Sequence, residues 1–255
     1  MDKKNNFIKS TKFINIKLSD NSLTLLKKPF LLLMAGNSQS GKTTTVLQWL
    51  INKEKIFETP FEKITYIYGS VFQQSFNNPL LKNVEFTDSL ERFYNLKNYG
   101  KNGHLLILDD ILGVIGNNDQ MVSLATKDVH HTNTSVIILT QTIFYNTPIY
   151  RILKDNCTYF FIKHQVSPFK LKYFANQIGL KSNFFIEAYE YVLNKNRYDG
   201  ILIDLNIKSD LRSVSILRYD LLNENKLIIS DEAFQKAVSN NILKRQNDDL
   251  FNLNI

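Results

Sequence analysis

The sequence predicts a three-layer α/β sandwich, in which a mostly parallel sheet carries helices on both faces. Three observations predict it. Short apolar runs, many of them β-branched or aromatic, recur at residues 30–35, 64–68, 105–108, 136–139, 159–162 and 201–203, and such runs are what strands buried on both faces look like. Candidate helices lie between them at 42–52, 89–96, 119–130, 168–178 and 183–193, and this alternation implies parallel strands joined by helical crossovers. A glycine-bracketed segment sits directly between the first of these strands and the first helix.

Composition narrows the class further. The chain has 255 residues, enough for one large domain with a substantial core. Its nine glycines and five prolines form no linker, and no repeat or heptad register is present. The single cysteine, Cys157, excludes a disulfide within one chain, which fits a reducing interior. No apolar run approaches the roughly 18 to 20 residues that cross a bilayer, and the first residues lack a signal-peptide layout, so no membrane association is expected. Lys and Arg total 31 against 24 for Asp and Glu, a net charge of +7. That balance favours polyanionic partners, although a lysine-rich composition produces the same excess.

The elements follow in order. Residues 1–27 form a basic N-terminal segment in which Phe13, Ile14, Ile16 and Leu18 alternate among lysines; it is an edge strand or a basic arm. Residues 28–205 form the core. From 206 to 255 the pattern changes to a polar stretch, a strand at 214–218 and a helix entered through Ser230, Asp231 and Glu232, with Ser230 as N-cap and acids in the first turn.

Gly36, Asn37, Ser38, Gln39, Ser40, Gly41, Lys42 and Thr43 satisfy the P-loop spacing in its strand-to-helix setting, with Thr44 continuing the site. Backbone N–H groups of such a loop point at phosphates, helped by the positive end of the following helix. Lys42 then reaches the β and γ phosphates of ATP, and Thr43 offers a hydroxyl oxygen to magnesium, a hard cation that prefers oxygen. The strand at 105–108 ends in Asp109 and Asp110. Asp109 is placed to hold the magnesium, and Asp110 to orient and deprotonate the attacking water. The strand at 135–139 ends in Thr140 and Gln141; Gln141 can hydrogen-bond both water and phosphate, as a sensor of hydrolysis requires. An extra strand bearing Gln141 between the two site strands marks the hydrolysing and motor branch of P-loop NTPases, with an expected core order of 5-1-4-3-2.

Taken with His130, His131 and the Gln141, Thr142, Ile143, Phe144 run, with the stretch from Arg151 to 161, and with Tyr198, Asp199, Gly200 and the strand after them, these motifs resemble the viral genome-packaging ATPases of the FtsK/HerA superfamily, in particular the poxvirus-type and Polinton/adintovirus/virophage-like members. The likeness spans residues 28–218. It implies a homo-oligomeric ring that hydrolyses ATP with Mg2+ and threads double-stranded DNA, without reading its sequence, into a capsid at its portal vertex. It places the protein in the host cytoplasm or nucleus at sites of virion assembly, or in the virion. Another FtsK/HerA-type translocase or helicase is the competing reading; a nucleotide kinase is a weaker one, because no arginine-rich lid is present.

Members of that superfamily complete each site with an arginine from the neighbouring subunit. Here the segment before the paired histidines carries Lys127 instead, a point charge without the guanidinium fork. Arg151 is the rival, and a third alternative is neither. His130 and His131 lack the further Cys or His of a zinc site and read as structural or interface residues. Tyr66, Tyr68, Phe72 and Phe76 read as packing aromatics. Candidate DNA contacts are Lys97, Lys101, Lys195 and Arg197, acting on phosphates.

Overall fold

The computed structural model describes residues 14–17, 25–69, 72–111, 113, 119–144, 147–165, 167–209, 212–223 and 227–230. Within them the strands are β1 (Ile14–Lys17), β2 (Leu31–Ala35), β3 (Lys63–Tyr68), β4 (Val84–Thr87), β5 (His104–Asp109), β6 (Thr134–Thr140), β7 (Tyr159–Ile162), β8 (Ile201–Asp204), β9 (Ser213–Tyr219) and β10 (Leu227–Ser230). All ten belong to one sheet, in the order β1-β10-β9-β8-β7-β2-β6-β5-β3-β4.

After β2 come helices α1 (Lys42–Ile51) and α2 (Lys53–Ile56), and α3 (Glu91–Tyr94) follows β4. Before β6, α4 (Asp119–Ser123) runs through a π-helical turn at Leu124–Asp128 into α5 (Val129–His131). Helix α6 (Pro148–Asp155) separates β6 from β7, and α7 (Pro168–Gln177) and α8 (Ser182–Lys195) lie between β7 and β8. Among the described residues no helix is long and apolar enough to cross a membrane.

Alternation of side chains along each strand divides the core into two layers. Leu31, Leu33 and Ala35 of β2, with Leu106 and Leu108 of β5, pack against Met121, Leu124 and Val129, against Leu153 of α6, and against Phe174 and Phe185 of α7 and α8. Leu32 and Met34, with Leu105 and Ile107, face Val46, Trp49 and Leu50 of α1 and Ile56 of α2. With both faces covered, β2, β5 and β6 are buried at every position, which is why they read as unbroken apolar runs rather than alternating ones.

From β7 to β4 the strands are parallel. Counted from β2 along the chain, β7-β2-β6-β5-β3 is the expected order 5-1-4-3-2, with β4 added at the edge. On the other flank β8, β9, β10 and β1 are antiparallel. The N-terminal segment therefore supplies an edge strand at Ile14–Lys17; Phe13 and Leu18 lie outside the described residues.

One expectation about an element is corrected. The helix expected at 89–96 is a single turn, Glu91–Tyr94, because the residues after it lead through Gly100 and Gly103, both at positive φ, into β5. Ser230 ends β10, paired with Ile14 and Ile216; the helix expected to start from it lies outside the described residues. Asp231 and Glu232 lie outside the described residues.

Candidate nucleotide site

The P-loop is pinned at its base by the strands on either side of β2. Gly36 N donates to Thr140 O at 3.0 Å and Asn37 N to His164 O at 2.8 Å, so the loop rises between the tips of β6 and β7. Gly41, at φ 80°, caps α1 in the left-handed region, where a side chain would be strained, and the N-terminus of α1 points into the loop. Lys42 is buried, and its Nζ donates to Gly36 O at 2.7 Å and Asn37 O at 3.1 Å, spanning the loop with its ammonium. Burial holds its pKa below the usual lysine value, against the pull of Asp110 and Asp109. The Ser40 hydroxyl is buried inside the loop, close to Gly36, with no hydrogen-bond partner.

Opposite the loop stands the tip of β5. Asp109 is buried, and one of its carboxylate oxygens accepts from Thr43 Oγ1 at 2.8 Å and from the Tyr66 hydroxyl at 2.5 Å. Burial pushes its pKa up, while the Tyr66 and Thr43 hydrogen bonds pull it back. Asp110 is exposed at positive φ, a turn that brings it out of the strand line; its charge and that of Asp109 both act on Lys42. Gly69 makes room for this turn, since a Cβ there would lie 2.6 Å from Asp110 O. An anion nest, a lysine and two carboxylates thus converge at the C-terminal ends of parallel strands, in sheet order 5-1-4-3-2. The fold is that of a P-loop NTPase.

In this P-loop NTPase fold, Thr43 Oγ1 and Asp109 Oδ2 are hard oxygen donors 2.8 Å apart, a set that fits magnesium. Gln141 follows Thr140, whose carbonyl binds Gly36 N, so its backbone abuts the base of the P-loop and its side chain is exposed. Arg151 is exposed in the first turn of α6, which starts near the β6 tip, at the nucleotide end of the sheet. Lys127 is exposed within the π-helical turn, close to the start of β6 and therefore near the opposite end. The structure brings Lys42, Thr43, Asp109 and Asp110 together and leaves Arg151 and Lys127 outside that cluster.

The remaining candidates divide by location. His130 and His131 are exposed at the end remote from the P-loop, and the described residues contain no metal-ligating cluster of three or more His, Cys, Asp or Glu. Lys97 and Lys101 precede β5 at that same remote end, whereas Lys195 and Arg197 lie near the P-loop, where Lys195 covers the Tyr191 ring and Arg197 the Tyr198 ring. The four cations do not form one surface. Cys157 is buried, and burial pushes its thiol pKa far up, consistent with a packing role.

Two site residues escaped the sequence reading. Tyr66 was expected only to pack, and it does pack on Phe76 and Phe86, yet its hydroxyl also holds Asp109. Lys163, one residue beyond the apolar run of β7, is fully buried. Its Nζ donates to Thr45 Oγ1 at 2.8 Å and to the Tyr198 carbonyl. Burial lowers its pKa to about 8, with Asp199 opposing and Lys42 assisting. A lysine immediately after a buried strand was the available signal, because a buried cation is rare without a partner.

No protein-family model matches the sequence, and no curated protein matches it. Solved structures do. The DNA-packaging ATPase B204 from Sulfolobus turreted icosahedral virus is similar over 70% of this chain and 94% of that one, at 16% identity and a TM-score of 0.47. The genome-packaging NTPase B204 from Sulfolobus turreted icosahedral virus 2, in complex with ATP-gammaS, is 17% identical over 70% of this chain and 93% of that chain, with a TM-score of 0.41. The RadB recombinase is 15% identical over 78% and 90%, with a TM-score of 0.43. None of these three scores reaches 0.5, and the fold assignment rests on strand order and site geometry.

Proposed function

We propose that the chain is an ATPase whose turnover drives double-stranded DNA into a viral capsid. The observation that carries the ATPase part is the contact between Thr43 Oγ1 and Asp109 at 2.8 Å, with Lys42 and Asp110 beside it. In this reading the N–H groups of residues 36–44 and Lys42 hold the triphosphate of ATP. Magnesium, held by Thr43 and Asp109, supplies positive charge against the phosphate oxygens. Asp110, exposed and next to that cluster, orients the attacking water and takes its proton; Gln141, at the foot of the loop, senses the γ-phosphate.

The DNA part rests on the motif resemblance and on the net charge of +7, with contacts to phosphates that ignore sequence. In a ring of copies a neighbour's cation would complete each site, with Arg151, Lys127 or neither as that cation. The location follows from the role: sites of virion assembly, with capsid or portal as partner.

ATP hydrolysis measured with and without double-stranded DNA, beside the size of the complex in solution, tests this reading. Stimulation by DNA together with a ring-sized species is expected. Hydrolysis indifferent to DNA would remove the motor and leave an ATPase, transfer of phosphate to a nucleoside or nucleotide would favour a kinase, and strand separation would favour a helicase. Lys42→Ala is expected to abolish nucleotide binding, whereas Asp110→Asn keeps binding and stops turnover.

A further inference from the structure

A cavity of about 580 Å³ opens beside the P-loop, a size typical of small-molecule sites. One side is P-loop and helix: Gly41, Thr44 and Thr45 line it. Its floor is Trp49 against Phe161, edge to face at 5.0 Å, both buried. Beside the loop stands Tyr198, 56% exposed. A Cβ on Gly41 would lie 3.6 Å from Tyr198 Cδ1, so the ring stands beside the last glycine of the nest.

Although its ring is more than half exposed, with the Arg197 guanidinium 5.3 Å from its centroid, the backbone of Tyr198 is anchored. Its N–H donates to Asn196 Oδ1 at 3.0 Å, and its carbonyl accepts from Lys163 Nζ, which also donates to Thr45 in α1. The wall is thereby tied to the helix that carries the P-loop. A large flat side chain held this way offers contact area at low ordering cost. The far rim holds Asp199 and Asp220; Asp199 accepts from Gly200 N at 2.7 Å and Asp220 N at 3.1 Å. Two carboxylates repel phosphates from this compartment, so a nucleotide whose phosphates lie in the nest enters it with its uncharged end.

We propose that this cavity is the nucleobase and ribose compartment of the site, with Tyr198 as the face on which the base stacks. The assignment rests on the nucleotide reading given above and extends it from the phosphates to the base. It makes affinity divisible: the nest and Lys42 bind the triphosphate whatever is attached to it, and Tyr198 binds only what carries a ring.

Calorimetric titration of ATP and of inorganic tripolyphosphate into wild-type protein, Tyr198→Ala and Tyr198→Phe separates the two parts. Because the ring is half exposed, both variants are expected to fold. Tyr198→Ala should weaken ATP about tenfold, the scale of one base–aromatic stack, and leave tripolyphosphate unchanged, while Tyr198→Phe keeps wild-type affinity for both. Equal losses for ATP and tripolyphosphate, no loss for ATP, or a Phe variant as weak as the Ala variant would each overturn the compartment while the phosphate site stands. Wild-type protein that binds neither compound would remove the phosphate site and the compartment with it.

Discussion

Strands β5 and β8 both end in a buried aspartate, and the two differ in what answers the charge. Asp204 meets Arg218 at 2.7 Å, and Ser209 and the Asn206 N–H complete its shell. Asp109 meets only hydroxyls, Thr43 and Tyr66, on one oxygen. Burial pushes both carboxyls up, but the guanidinium is what pulls Asp204 back and hydrogen bonds are what pull Asp109 back. A buried carboxylate ion-paired within its own chain is closed; one hydrogen-bonded only by neutral donors, with the Lys42 charge acting from further off, still favours a cation from outside. The same apolar-strand-then-aspartate pattern thus yields an ion pair on the antiparallel flank and, in the parallel block, the carboxylate to which the proposed function gives magnesium.

The largest effect should come from breaking the closed pair. Arg218→Met leaves Asp204 buried without its ion-pair partner, and a loss of about 3–5 kcal/mol is expected in denaturant unfolding, with nucleotide affinity of the folded protein unchanged. A loss no larger than that of a surface pair such as Lys27–Glu58, typically under about 1 kcal/mol, would erase the distinction between the two aspartates.

Asp109→Asn is the mirror experiment. Turnover should fall by on the order of a hundredfold or more, near 3 kcal/mol in the barrier, while stability at neutral pH holds or rises. The sign follows from the shift. Asp109 has a raised folded pKa, so the folded state binds the proton more tightly, and its contribution to stability is lost as pH rises through that pKa. Removing the charge relieves that loss. An Asn variant that unfolds as readily as the Arg218 variant would make Asp109 a brace as well.

His104 sits at the other end of β5, buried, with Nε2 3.0 Å from Thr65 Oγ1 and Nδ1 without a partner. Burial, helped by Lys63, lowers its pKa to about 4 from 6.5. The unfolded chain therefore binds the proton first, and stability falls as pH drops from about 6.5 to 4, by up to roughly 3 kcal/mol. His104→Gln should flatten that part of the stability–pH curve relative to wild type and leave nucleotide binding alone.

What could be read from the sequence was what is local. The nest, Lys42, Thr43, Asp109 and Asp110 are each fixed by their neighbours along the chain, and two-sided burial made the parallel strands plain. Strand β4, with Val84, Glu85, Phe86 and Thr87 all half-buried at the sheet edge, lacks that apolar signature. The backbone of β10 completes a sheet through pairings on both sides, which a capping pattern at Ser230 does not report. Tyr198 and Lys163 meet because β7 and β8 pair antiparallel, bringing residue 163 near residue 198. Such contacts are set by register, and register between distant segments is not written in either one.

Tyr66 is the clearest case, and it tests the comparison at its finest. Register pairs Tyr66 with Ile107 and Tyr68 with Asp109, so the phenol reaches Asp109 from two residues down the neighbouring strand. Its hydrogen bond lowers the Asp109 pKa against burial. Tyr66→Phe keeps the ring that packs on Phe76 and Phe86 and deletes the donor, so stability should change by only about 1 kcal/mol. With one restraint gone, Asp109 holds its proton to higher pH, and its carboxyl titration in the metal-free protein, followed by NMR, should move upward. An unmoved titration with a loss of stability would make Tyr66 a packing residue, and Asp109 would then owe its state to burial and Thr43.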